Sequence, residues 1–118
     1  MIKLNLIVLR ADDVPALVRF YTALGMQFEA HQHGKGAPHW AWEAADGTVF
    51  EIYPKRNAAD STQSVRLGFA VPNIEQTLAG LNGHSYTVIS APKLSQWGKR
   101  AVVDDPEGHR IELIERSV

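Results

Sequence analysis

The segment Arg100-Ala-Val-Val-Asp-Asp-Pro-Glu-Gly-His-Arg-Ile-Glu-Leu-Ile114 decides the fold. Its centre, Asp105-Pro106-Glu107-Gly108, is a turn sequence, because proline suits the second turn position and glycine tolerates positive φ. Alternating and β-branched residues flank this turn, so the segment is predicted to be a β-hairpin. Glu112 then lies in mid-strand, on the face opposite Ile111 and Leu113.

A second hairpin of the same kind is predicted in the first half of the chain, from Trp40 to Tyr53. Its turn is Asp46-Gly47, and Phe50-Glu51-Ile52 stands where the later copy has Ile111-Glu112-Leu113, an offset of 61 residues. An offset of 60 aligns the first predicted strand and helix of the two halves, for example Leu9 with Phe69 and Val18 with Leu78. This drift of one residue across a loop indicates a tandem duplication.

Each half is predicted to be a βαβββ module. A helix capped by Asp12-Asp13 and ended by Gly25 follows the first strand, and a helix capped by Asn73 and ended by Gly83 follows its counterpart. The fold class is therefore α+β, with two modules (about 1–54 and 63–118) in one domain joined by a polar linker, 55–62. The predicted strands are 3–11, 26–33, the Trp40–Tyr53 hairpin, 64–71, 86–90 and the final hairpin.

Composition excludes several functional classes. The net charge is −1 with scattered Lys and Arg, so neither nucleic acid nor an anionic membrane is an expected partner. Cysteine is absent, which removes disulfides, thiolate nucleophiles and Cys-ligated metals. The apolar run near the start is too short to span a bilayer and no cleavage site follows it, so we expect a cytoplasmic protein.

The chain resembles the vicinal oxygen chelate superfamily, which includes glyoxalase I, bleomycin-resistance proteins and extradiol dioxygenases. The resemblance rests on Leu9-Arg-Ala-Asp-Asp-Val, with Arg19-Phe-Tyr and Leu24-Gly25, on Gly68-Phe-Ala-Val-Pro-Asn-Ile, and above all on Trp97-Gly-Lys-Arg-Ala-Val-Val-Asp-Asp-Pro-Glu-Gly-His-Arg-Ile-Glu-Leu113. It implies a cupped mixed sheet, and a homodimer, because family members of this size commonly build their clefts across two chains. It implies no single activity, since the fold hosts isomerases, dioxygenases and binding proteins.

The resemblance also implies where a metal would bind. Metal-dependent relatives take one ligand from the first strand and one from the last strand of each half, and the corresponding positions here are Leu6, Glu51, Arg66 and Glu112. Leucine has no donor atom and arginine is a permanent cation, so the metal site is predicted to be absent and no cofactor is expected. If the protein is an enzyme, Glu51 and Glu112 are its candidate catalytic residues.

A ligand site remains possible without the metal. A two-residue Asp46-Gly47 turn would pair Trp42 with Glu51 and Trp40 with Tyr53, which would place both indoles on the face of Glu51. The same reasoning places Val102 and Arg100 beside Glu112. The predicted small-molecule site is therefore an aromatic, partly charged cup, and its candidate residues are Leu6, Trp40, Trp42, Tyr53, Arg66, Trp97 and Arg100.

Each of these assignments has a structural alternative. Arg66 with Glu51 and Glu112 can be an ion-pair cluster, Trp40 and Trp42 can belong to the core, and Trp97 can either close over the cup or pack on it. His31 and His33 alternate along a strand and could form a metal pair, but a solvated edge strand is the preferred interpretation. His39, His84 and His109 are expected at the surface.

Three functions remain open. The preferred one is a metal-independent protein that binds an aromatic or anionic small molecule, like the bleomycin-resistance branch. The alternative is an enzyme of the same superfamily, a lyase, isomerase or dioxygenase-like protein, that uses Glu51 or Glu112 as a base with Arg66 steadying an anion. A metal-dependent enzyme with displaced ligands is the least favoured.

Overall fold

Two repeats of the element order βαβββ make up the chain in a computed structural model, which describes residues 1–116. The chain divides into two compact units, Met1–Thr62 and the part from Gln63 onward. The first unit contains β1 (Leu6–Ala11), α1 (Val14–Leu24), β2 (Glu29–His31), β3 (His39–Glu43), β4 (Val49–Pro54) and a short 3-10 helix (Ala58–Asp60). The second contains β5 (Arg66–Ala70), α2 (Ile74–Gly80), β6 (Thr87–Ser95), β7 (Gly98–Asp104) and β8 (Arg110–Glu115).

Each unit forms one four-stranded mixed sheet, so the predicted α+β class and module order are confirmed. The strand orders are β1-β4-β3-β2 and β5-β8-β7-β6. In both sheets the first strand runs parallel to the last, and the remaining neighbours are antiparallel. The last strand of each module therefore lies second from an edge, which places Glu51 and Glu112 within the sheet and not at its border.

Both helices begin at the residues that the sequence marks, and α1 also ends there. The Asp13 carboxylate accepts a hydrogen bond from the Ala16 backbone N–H, and Gly25, in the left-handed region at φ 119°, follows the last turn of α1. In α2, Asn73 accepts from the Gln76 N–H, but the helix ends at Gly80, earlier than predicted. Neither α-helix of the described chain is long and apolar enough to cross a membrane.

The core of each unit lies between its helix and one face of its sheet. In the first unit Leu9, Phe50 and Ile52 are buried on the α1 side, where the ring of Tyr21 lies 5.0 Å from that of Phe50. In the second unit the corresponding residues are Ala101, Val103, Ile111 and Leu113, all fully buried. Burial of these side chains is the main stabilising contribution to each unit.

Some of the predicted strand boundaries were wrong. β2 is limited to Glu29–His31, and β6 extends through Ser95, well beyond the predicted end at residue 90. β6 reaches this length with two register shifts against β7, between Val88 and Ser90 and between Ser90 and Lys93. The polar segment 55–62 belongs to the first unit, because Asp60 ion-pairs with Arg56 and Arg10, and Thr62 accepts a hydrogen bond from the Arg10 N–H.

His109 is completely buried, so its predicted surface position was wrong. Its Nδ1 lies 2.9 Å from Oδ2 of Asp105, and Oδ1 of the same carboxylate accepts hydrogen bonds from the backbone N–H groups of Glu107 and His109. The pair stabilises the β7–β8 loop by satisfying buried polar groups, which is a structural role. His84, the third histidine expected at the surface, is half-buried in the turn after α2.

Gly98 begins β7 at φ 126°, and a Cβ there would collide with the backbone carbonyl oxygen of Glu115 on β8. Gly83 has φ 85° with open space around it. We expect Gly83→Ala to lower the free energy of unfolding by about 1–3 kcal/mol, the cost of positive φ, and Gly98→Ala to cost at least about 1 kcal/mol more. Urea unfolding of both variants measures this difference, and equal losses would contradict the close approach of β7 to β8.

Candidate functional site

The register of the β3–β4 hairpin gives Glu51 different neighbours from those predicted. The chain makes a three-residue loop, Ala45-Asp46-Gly47, closed by a hydrogen bond from the Ala44 N–H to the Thr48 carbonyl. Gly47 has φ 91°, whereas no residue other than glycine has positive φ in the described chain. The predicted two-residue turn needs positive φ at Asp46 as well, so it does not form.

The longer loop shifts the β3–β4 pairing by one residue. Glu51 pairs with Ala41, while Trp42 pairs with Phe50 and Trp40 with Ile52. Both indoles therefore lie on the α1 side of the sheet, half-buried, and the prediction that they share a face with Glu51 was wrong. Their role as core residues, one of the two alternatives, agrees with this position.

His39 takes the place beside Glu51. The shift brings the buried His39, only 3% exposed, onto the face of Glu51, with its Nε2 3.5 Å from a Glu51 oxygen. The His39 ring stacks on Tyr53 at 4.2 Å between centroids. The prediction of a surface histidine was therefore wrong, although the alternation that puts His39 opposite Trp40 was correct. If a three-residue loop had been assumed in place of a two-residue turn, the sequence would have predicted His39 beside Glu51.

The same face carries further predicted residues. Tyr53 lies between His39 and Arg10, whose guanidinium carbon is 4.7 Å from the Tyr53 ring centroid. Leu6, at the start of β1, pairs with Val49 and remains about half exposed. His31 and His33 also lie here, with ring centroids 5.8 and 5.4 Å from that of His39. We name this set (Arg10, His31, His33, His39, Glu51 and Tyr53) the histidine face.

In the second unit the carboxylate is held by arginines. The β7–β8 hairpin has the predicted pairing of Val102 with Glu112. Arg100 donates a hydrogen bond to Glu112 at 2.9 Å, and Arg66 lies 3.6 Å from the same oxygen. The Arg100 hydrogen bond is the main cause that lowers the pKa of Glu112, against a smaller opposite effect of partial burial, with the charge of Arg66 adding to the decrease.

A cavity of about 830 Å³ opens beside this cluster. Its walls include the predicted residues Trp97, Arg100 and Glu112, together with Arg116, which the sequence analysis did not single out. Trp97 is 65% exposed, and its side chain contributes to the wall without being packed into the core. Within residues 1–116 the structure gives Arg116 no carboxylate partner. We name Arg66, Trp97, Arg100, Glu112 and Arg116 the arginine pocket.

The four positions that correspond to metal ligands do not suit a metal. Leu6 offers no donor atom, and Glu112 already accepts from one guanidinium and faces another. Among the residues described, no three His, Asp or Glu side chains converge on a point where an ion could sit. The residues at these four positions are therefore unsuited to bind the metal ion that metal-dependent relatives hold there.

Comparison with known proteins agrees with the architecture. The family model described as "Glyoxalase/Bleomycin resistance protein/Dioxygenase superfamily" matches residues 3–113. Similar solved structures include TnmS3, an antibiotic-binding protein from Streptomyces sp. CB03234, at 22% identity and TM-score 0.74, covering 99% of this chain and 98% of that one. A glyoxalase/dioxygenase from Nostoc punctiforme, at 18% identity and TM-score 0.74, covers 98% of this chain and 92% of its own.

A third similar structure is the oxidase ChaP-H2, at 23% identity and TM-score 0.74, which covers 98% of this chain and 94% of that one. At these identities the likeness establishes the fold alone. No curated protein matches the chain by sequence.

Arg100→Gln tests the ion pair of the arginine pocket through its pH dependence. Because the folded-state pKa of Glu112 is lowered, the pair contributes stability above the ordinary carboxyl pKa of about 4.3, and loses it as pH falls through the lowered value. The parent is therefore expected to exceed Arg100→Gln in unfolding free energy near pH 6, with the gap narrowing in acid. Urea unfolding from pH 6 to pH 2.5 measures it, and a gap that is constant with pH would contradict this ion pair.

Proposed function

Because the chain belongs to the glyoxalase/bleomycin resistance protein/dioxygenase superfamily, we propose that it is a metal-independent protein that binds an anionic aromatic small molecule in the arginine pocket. The observation that carries this proposal is the charge of the pocket. Arg66 and Arg100 both lie against one carboxylate, Glu112, and Arg116 lines the same cavity as Arg100, so the cluster has an excess of positive charge. A cavity of about 830 Å³ falls in the range of small-molecule sites.

The role of each residue follows from its contacts. Glu112 orients Arg100 through the 2.9 Å hydrogen bond, which leaves the other guanidinium N–H groups of Arg100 available to a carboxylate or phenolate oxygen. Arg66, with about half of its side chain exposed, and Arg116 supply further positive charge. The exposed indole of Trp97 offers a flat surface on which an aromatic ring can stack.

The similar fold of TnmS3, an antibiotic-binding protein, is consistent with a binding function. An enzymatic function is the second candidate, supported by the fold of the oxidase ChaP-H2 and by the closeness of His39 to Glu51. Glu112 is poorly suited to be a base, because the hydrogen bond from Arg100 lowers its pKa and weakens its affinity for a proton.

A panel of aromatic carboxylates, each matched with its neutral amide, tests the binding function by calorimetry in the presence of EDTA. We expect the carboxylates to bind more tightly than the amides, and Arg100→Gln to abolish the preference. Trp97→Ala should weaken both members of a pair about tenfold, equivalent to about 1.4 kcal/mol, because a stacking surface is lost.

Two control variants keep this test specific. Arg110→Gln removes a guanidinium that pairs with Asp104 and not with Glu112. Trp40→Phe alters an indole on the α1 side of the first sheet. Both variants should bind the ligands as tightly as the parent does. Equal affinity for acid and amide across the panel would contradict the charge selection. Binding that requires a metal, and therefore disappears in EDTA, would contradict the metal-independent function.

We also propose that the chain forms a homodimer. Val88, Ile89 and Leu94 on the edge strand β6 are large apolar residues with 47%, 44% and 81% exposure, and exposed apolar residues gathered on one edge strand favour an association surface. Light scattering should therefore give about twice the chain mass of 13.1 kDa. Leu94→Lys is expected to weaken the dimer. A light-scattering mass of 13.1 kDa for the parent protein at micromolar concentration would contradict the homodimer.

A further inference from the structure

The cavity beside the arginine pocket has a residue without a side chain in its floor. Gly68 lies in the middle of β5, pairs with Glu112 and lines the cavity. Glycine is disfavoured in the interior of a strand, where it often marks a place that another group approaches closely. A glycine at this position is explained either by the geometry of the backbone or by the space that it leaves in the cavity.

The backbone does not require this glycine. The φ of Gly68 lies outside the positive range that favours glycine. A Cβ at this position would have the Cβ and the carbonyl oxygen of Glu112 as its nearest neighbours, both at 4.0 Å, which is an ordinary contact distance. A side chain could therefore stand here without moving the strand, and the explanation lies in the cavity.

The first unit has a side chain at the equivalent place. The offset of 60 residues aligns Gly68 with Val8, and Val8 pairs with Glu51 in the same way as Gly68 pairs with Glu112. Val8 is half-buried, whereas Gly68 is exposed. The architecture thus accepts a β-branched residue beside the carboxylate of the last strand, and the second unit lacks one.

The next position on this face differs in the same sense. Ala70 aligns with Arg10, whose guanidinium carbon lies 4.7 Å from the ring centroid of Tyr53. Ala70 instead pairs with Ile114, and both residues line the cavity. On the β5 side the floor of the second unit is therefore low and apolar, where the first unit carries a cation packed on an aromatic ring.

The strand pairing sets the width of this floor. Ala70 pairs with Ile114 and Ile114 with Arg100, so the row crosses from β5 through β8 to β7. Two strand spacings of about 4.8 Å give a width of roughly 10 Å. A single-ring acid bound to Arg100 covers only part of this width, whereas a fused two-ring acid is long enough to reach the open space at Gly68.

We propose that Gly68 is a specificity-determining residue of the arginine pocket, and that it admits the second ring of a fused two-ring aromatic acid. The inference rests on the proposed anion binding and narrows its ligand class. Arg100 holds the acid group and the exposed indole of Trp97 lies against a ring. The missing side chain at Gly68 leaves room for the ring farther from the charge, whose removal from water adds affinity.

Calorimetry in EDTA with benzoate, 2-naphthoate and the amide of each acid tests this inference. We expect the parent to bind 2-naphthoate about tenfold more tightly than benzoate, because the second ring buries additional apolar surface. Gly68→Val should bring this ratio close to one, since its methyl groups occupy the space of the second ring. The affinity for benzoate should stay within about twofold of the parent value, because that acid does not reach β5.

Urea unfolding of the same variant separates exclusion of the ligand from damage to the fold. Gly68→Val should keep or raise the urea midpoint, because valine favours a strand and glycine does not. Gly68→Ala adds a single carbon and should lower the ratio of affinities only in part. Val8→Ala changes the equivalent position of the first sheet and should leave the ratio as it is in the parent, which makes it the matched control.

Three results would overturn the role of Gly68. The first is a preference for 2-naphthoate that persists in Gly68→Val, and the second is an equal loss of affinity for benzoate and 2-naphthoate in that variant. The third is a lower urea midpoint in both Gly68→Val and Gly68→Ala, which would mean that the strand itself requires glycine.

The amides distinguish this failure from failure of the proposed function. If the parent binds both acids more tightly than their amides and Gly68→Val keeps the preference for 2-naphthoate, the anion site stands and only the role of Gly68 is wrong. If the parent binds neither acid more tightly than its amide, the proposed function is contradicted and the inference about Gly68 falls with it.

Discussion

The β3–β4 and β7–β8 hairpins each depend on one glycine at the third position of the loop. Gly47 and Gly108 have φ values of 91° and 94°, a region that disfavours residues with a side chain. Each closes a three-residue loop, and the loop length fixes the pairing of every residue that follows it. Since a strand alternates its faces with a period of two, this single conformational requirement determines which side chains surround Glu51 and Glu112.

The two carboxylates occupy equivalent positions but have acquired opposite environments. Glu112 accepts from Arg100 and faces Arg66, so its charge is held and used to orient guanidinium groups. Glu51 instead lies beside the buried His39, whose ring stacks on Tyr53. After a duplication, equivalent positions need not keep equivalent chemistry, because the neighbours on adjacent strands change independently. Glu112 therefore lies between two guanidinium groups, whereas Glu51 lies beside an imidazole.

Much of the fold could be predicted from the sequence, because its signals are local. The order of the elements follows from short signals in the sequence. These are the helix caps Asp13 and Asn73, Gly25 after the first helix, and the turns at Asp46-Gly47 and Pro106-Glu107-Gly108. The pairing of Val102 with Glu112 and the closeness of Arg100 were also predicted correctly. Both follow from alternation alone once the turn is located.

The part of the site that could not be predicted depended on one residue of register. An Asp-Gly pair is compatible with a two-residue turn and with the last two positions of a three-residue loop, and the difference lies in φ at Asp46. The wrong choice put Trp40 and Trp42 beside Glu51 and excluded His39. Arg116 was missed because an arginine near the end of a chain has no pattern of its own, and its place in the cavity depends on where β8 ends.

The two shifts of register in β6 affect more than its length. A long, flat edge strand offers its free N–H and C=O groups to any other extended chain, and so invites uncontrolled growth of the sheet. β6 is broken by irregular pairing at Val88, Ser90 and Lys93, contains Pro92, which lacks an N–H, and carries the charge of Lys93. A partner can therefore contact the exposed apolar side chains of β6, whereas the irregular backbone disfavours the strand pairing through which fibrils grow.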